Sequence, residues 1–110
     1  MIEQLEGIKA RFEQVGVALT NPDIINRQSE FQKLSKEYSQ LEKVVKPFEE
    51  YKKVSVEYDF AKEGLNSSDD DMRELAKMEL PELEEKKALL EKELTKLHAN
   101  LTGREPKPKY

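Results

Sequence analysis

The sequence predicts an all-α protein, an elongated antiparallel three-helix bundle or coiled coil with a kinked long second helix. Three observations carry this. Apolar side chains recur at intervals of three and four through nearly the whole chain, which is the spacing of one face of an α-helix. The stretches that interrupt the series, around 20–23 and 64–68, are short, so consecutive helices must turn back on one another. Charged residues make up 38% of the 110 positions against 36% hydrophobic, which leaves too little apolar material for a globular core.

The first helix is expected near 2–19, because Ile2, Leu5, Ile8, Phe12, Val15 and Leu19 fall on one stripe. Asn21, Pro22 and Asp23 then supply a capping side chain, a proline suited to the first helical position and an acid in the first turn, so a second helix starts at 22. Its apolar series, Phe31, Leu34, Tyr38, Leu41, Val45 and Phe48, alternates steps of three and four in the manner of a coiled-coil seam. Pro47 removes a backbone donor and crowds the preceding turn, at about 3 kcal/mol inside a helix, so a kink or short break is expected near 46–47. The series resumes through Tyr51, Val54, Tyr58, Ala61 and Leu65 until Gly64, Asn66 and Ser67 end the helix near 65. Of the seam residues, Leu34, Tyr38, Leu41 and, on the third helix, Leu94 are expected to be mostly buried.

Ser67, Ser68 and the aspartates at 69–71 stand before Met72, Leu75, Ala76 and Leu80 and are expected to cap a third helix near 69–99. Asp69 is placed to pair with Arg73 four residues on, and Asp71 with Glu74 has the spacing of a capping box. A calcium loop would instead alternate its acids, carry a central glycine and end in a glutamate at its twelfth position. Leu83, Leu90, Leu94, Leu97 and Leu101 continue the third stripe, while Pro81 and a lysine at 87, where the seam wants an apolar residue, predict imperfect packing mid-helix. The organisation expected is a helical domain over 1–101 followed by a flexible basic tail or linker remnant over 102–110.

Chemistry is constrained mainly by what is missing. There is no cysteine, so thiol catalysis and Cys-based metal sites are excluded, and the single histidine, His98, reads as a surface or seam-edge residue. The four glycines, at 7, 16, 64 and 103, form no phosphate-binding loop. Paired acids such as Glu84 and Glu85 read as a solvated helix face, and the aromatic residues at helical spacing as core. No catalytic residue, cofactor site or metal site is expected, and the chain is not expected to be an enzyme. A net charge of −4 with no basic stripe argues against direct nucleic-acid readout and for a protein partner. No apolar run reaches the ~20 residues of a membrane span and the N-terminus is no signal peptide, so a cytoplasmic chain without membrane contact is expected.

The early GIKARFEQVGVALTNPDII, then FQKLSKEYSQLEKVV, and most specifically DDDMRELAKMELPELEEKKALLEKEL resemble the N-terminal helical domain of the bacterial peptide chain release factor 1 family, over residues 2–97. Pro47 departs from that family's long second helix. The family's Pro-Lys-Asp-Pro linker is replaced by HANLTGREPKPKY. Neither the Gly-Gly-Gln tripeptide of peptide release nor the Pro-x-Thr tripeptide of stop-codon reading occurs in the 110 residues. The chain is accordingly expected to be an excised first domain or a natural truncated relative. The resemblance implies a role in translation termination as a monomer within the full factor, through contacts with the ribosomal stalk base and the GTPase-associated region. Polar positions beside the family-like stretches are the candidate contacts: Lys36 in LSKEY, and Arg73 and Lys77, one turn apart on the third helix. Two alternatives stand beside this reading: the three cations solvate a charged face, or the chain is a free-standing coiled-coil adaptor that self-associates through its seam.

Overall fold

A computed structural model describes residues 1–103, and among these no strand occurs. The chain forms α1 (Ile2–Ala18), α2 (Pro22–Ile25), α3 (Gln28–Gly64) and α4 (Asp70–Leu101). The all-α bundle is therefore as the sequence predicts, but with four helices rather than three. The helix expected from 22 to 65 is divided at Asn26 and Arg27. Asn21 caps α2 as anticipated, its side-chain oxygen accepting from the Asp23 N–H at 3.0 Å with Pro22 at the first helical position. The turn then tightens, the Arg27 N–H donating to the Ile24 carbonyl three residues back, and the Arg27 carbonyl accepts the first bond of α3 from Phe31. Two adjacent β-branched isoleucines followed by asparagine make a poor helical continuation, because isoleucine loses side-chain freedom in a helix and asparagine competes for backbone groups.

The break expected near Lys46 does not occur, since α3 passes through Pro47 as one helical segment. Proline at 47 forfeits the one bond its N–H would make to the carbonyl of Lys43, and the neighbouring Val44, Val45 and Phe48 are all buried, so packing outweighs the local cost. Pro81 is likewise contained within α4. That helix runs to Leu101, two residues beyond the expected 99, and Gly103 just past it adopts a left-handed φ of 72°, which only glycine takes without strain. The basic tail expected over 102–110 lies, from 104 on, outside the described residues.

The chain divides into two compact units. Among the described residues, the first comprises Met1–Lys46 and the end of α4 from Leu94, with Leu5, Val15, Leu41, Val44, Val45 and Leu94 buried. Leu41 and Leu94 are thus buried as expected, whereas Leu34 and Tyr38 are only half-buried. The second unit, Pro47–Glu93, is a helical hairpin with Phe48, Val54, Ala61, Ala76 and Leu83 buried. Tyr58, Leu80 and Leu90 pack around Val54, Ala61 and Leu83. Contacts along this hairpin pair Tyr51 with Glu91, Tyr58 with Lys87, and Gly64 with Ala76, rising numbers on α3 against falling numbers on α4. Stripe residues close to element ends, namely Ile2, Phe31, Leu65, Met72 and Leu75, remain exposed.

Candidate interaction surface

In the first unit the polar chemistry sits where α1 meets α3. Arg11 forks onto Glu37, Nε to one carboxylate oxygen at 2.7 Å and a terminal nitrogen to the other at 2.9 Å, and it also donates to Gln14. The hydrogen bond from Arg11 holds the Glu37 carboxyl below the usual carboxylate range, against a partial desolvation that pushes the other way. Beside this pair the Phe12 and Tyr38 rings stack with centres 4.4 Å apart. Gly16 lies under the same tyrosine, where a Cβ would stand 3.3 Å from the ring. Lys36 is exposed on α3 next to Glu37 and makes no ion pair or hydrogen bond among the described residues.

The acidic run at 69–71 is a helix start in the second unit. Ser67 Oγ accepts from the Asp69 N–H, and Asp69 Oδ1 accepts from the Asp71 N–H at 2.9 Å, so Asp69 is the capping residue of α4. The capping box expected from Asp71 and Glu74 is not formed, because Asp71 already lies inside the first helical turn. The expected pairing of Asp69 with Arg73 is also replaced. Arg73 donates to the Ser67 carbonyl at 2.7 Å and pairs with Asp70, which ties the turn back onto the helix. Lys77 is exposed, with Glu74 at 3.5 Å. Of the three cations singled out from the sequence, Arg73 and Lys77 therefore share one helix face, with Arg73 engaged in the turn, while Lys36 belongs to the first unit.

Elsewhere on the hairpin the structure supplies partners that sequence reading missed. Lys87, the lysine in the seam, lays its ammonium 4.9 Å from the centre of the Tyr58 ring, so the position predicted to pack badly is filled by a cation–π contact. The Tyr51 hydroxyl donates to Glu91 at 2.8 Å, and burial, followed by this hydrogen bond, raises the phenol's pKa. An open groove of about 520 Å³ runs beside the hairpin, with Leu83 and Leu89 among glutamates 57, 79, 82 and 85. The α4 members could have been found as a helical row; the addition of Glu57 from α3 depends on tertiary pairing. Among the described residues no three His, Asp or Glu side chains are grouped to hold a metal ion. None of the described helices is long and apolar enough to cross a membrane.

Among the described residues the polar side chains serve an interhelical joint at Arg11 and Glu37 and capped turns at Asn21 and Asp69. The family model described as the PCRF domain matches residues 8–107. The chain belongs to the PCRF-domain family. Its curated relatives include peptide chain release factor 1 of Alkaliphilus oremlandii, 42% identical over 96 residues, which is 86% of this chain and 27% of the relative. The same factor from Bacteroides fragilis is 40% identical over 95 residues, covering 86% of this chain and 26% of the relative. That of Clostridioides difficile is 42% identical over 95 residues, again 86% of this chain and 27% of the relative. This PCRF-domain chain thus spans about a quarter of the length of the relatives it matches, and the similarity is to their N-terminal part. No solved structure matches it.

Proposed function

We propose that this chain serves translation termination in the cytoplasm as the N-terminal helical part of a class 1 peptide chain release factor. In that setting it positions the factor on the ribosome through protein contacts at the stalk base and GTPase-associated region. The supporting observation is similarity at about 40% identity along 86% of the chain to release factors of several bacteria. The fold agrees with it: capped helices, an Arg11–Glu37 joint and a tied turn at Arg73 hold helix surfaces in place. Codon reading and peptidyl-tRNA hydrolysis are assigned to other parts of the factor, because neither Gly-Gly-Gln nor Pro-x-Thr occurs in these 110 residues.

Lys36, Arg73 and Lys77 are the proposed contact positions. Reversing charge at Lys36 and Lys77 in a full-length factor carrying this domain is the clean experiment, because Arg73 also fastens the α4 turn and its loss would disturb local structure. With helicity verified by circular dichroism, the Lys36→Glu/Lys77→Glu factor should co-sediment more weakly with ribosomes and terminate more slowly, and the effect should shrink as salt is raised. Wild-type co-sedimentation and termination rate in the double variant would refute these contacts. Sedimentation of the isolated chain separates the proposed monomer from a self-associating adaptor, since only the adaptor gains mass with concentration.

A further inference from the structure

We propose that the groove on the α3–α4 hairpin is a docking site for a basic amphipathic helix of a partner protein. The inference goes beyond the termination role and does not use its contact residues. The groove combines two features that a merely solvated face does not need. Its apolar side chains include Leu89, which is 61% exposed, and on α3 the adjoining face presents Phe60 at 65%, three residues on from Glu57. Its charge is one-sided, with glutamates 57, 79, 82 and 85 against a single cation, Lys86. None of these four carboxylates has a hydrogen bond or ion pair among the described residues.

The shape and charge together select the occupant. On α4 the lining runs from Glu79 to Leu89, about 15 Å or three turns at the helical rise, and a furrow beside two packed helices accepts the ridge of a third. Such a helix would set leucine-like side chains at i, i+4 and i+7 along Leu89 and Phe60 and over the rim of the buried Leu83, with lysine or arginine flanking them opposite the glutamates. A second copy is disfavoured, because a two-fold contact would bring the four glutamates against their own equivalents in a chain of net charge −4. An anionic membrane surface is repelled by the same carboxylates.

A synthetic helix of about eighteen residues, with leucines at that spacing and lysines on both flanks, tests the proposal on the whole 110-residue chain. Binding is followed by fluorescence anisotropy and by amide shifts. It should saturate, with shifts concentrated at 57–60 and 79–89. It should weaken about ten-fold in Glu82→Lys/Glu85→Lys, as expected on reversing charges in a complementary interface. Leu89→Ser, at an exposed position that the fold does not need, should weaken it as well. A peptide with serines in place of the leucines should bind much less tightly. Equal binding of that serine peptide would reduce the attraction to bare charge and overturn the proposal. So would shifts spread over both units, or concentration-dependent dimerisation of the chain that Leu89→Ser abolishes. Because the reading as a release-factor domain is tested by ribosome co-sedimentation at Lys36 and Lys77, either result can fail without the other.

Discussion

At the scale of single residues, the charged side chains divide into those with a structural partner and those without. Arg11 commits two nitrogens to Glu37, and the consequence is pH-dependent. The Glu37 carboxyl has a lowered pKa in the folded chain because Arg11 hydrogen-bonds its charged form. Its stabilising contribution is therefore present above the unfolded value of about 4.3 and is lost as pH falls through the folded value. Thermal melts of the wild type and of Glu37→Gln should differ at neutral pH and converge in acid, by a small amount because the pair is largely solvated. A difference that stays constant from neutral pH into acid would show that the pair is not the source. Glycine 64 makes the complementary point for packing. Its expected role as a helix terminator is met, but its φ is not left-handed. What the position requires is space, since an added Cβ would come within 3.1 Å of the buried Ala76.

At the scale of elements, the seam periodicity translates into burial most faithfully in mid-helix. Leu41 is 6% exposed and sits with Val44 and Val45 among the buried residues of the first unit, so Leu41→Ala should cost about 2–5 kcal/mol through lost transfer energy and a residual cavity. Heat or urea unfolding measures this directly, and an unchanged transition would mean that the site collapses freely or is not core. The start of α4 was legible because serine and aspartate before an apolar series have one local explanation, although Asp69 rather than Asp71 does the capping. The division between α2 and α3 was not legible. The Asn21-Pro22-Asp23 signal marks a helix start correctly, but nothing in a stripe that resumes at Phe31 shows that Arg27 restarts the hydrogen-bond series. Periodicity reports faces, and the short interruption at Asn26 and Arg27 barely changes them.

At the scale of the whole molecule, the chain belongs to the PCRF-domain family and matches about a quarter of the length of release factor 1 relatives. The 110-residue chain by itself should release no peptide from ribosomes stalled at a stop codon, measured as freed peptide from labelled peptidyl-tRNA; release above background would contradict the assignment of chemistry to other segments. Sequence alone determined the all-α class, the apolar stripes, and the caps at Asn21 and in the 67–71 run, because helical hydrogen bonding and its 3.6-residue period act between near neighbours. Only the tertiary structure decided that Lys87 rests on Tyr58, that Gly64 admits Ala76, that Arg73 ties down its own turn, and that Glu57 joins the glutamates of α4 in one groove. Three of those four depend on which residue of one helix stands opposite which residue of another. That register is set by packing between side chains far apart in the chain, and a local repeat of Leu, Glu and Lys fits several registers almost equally well.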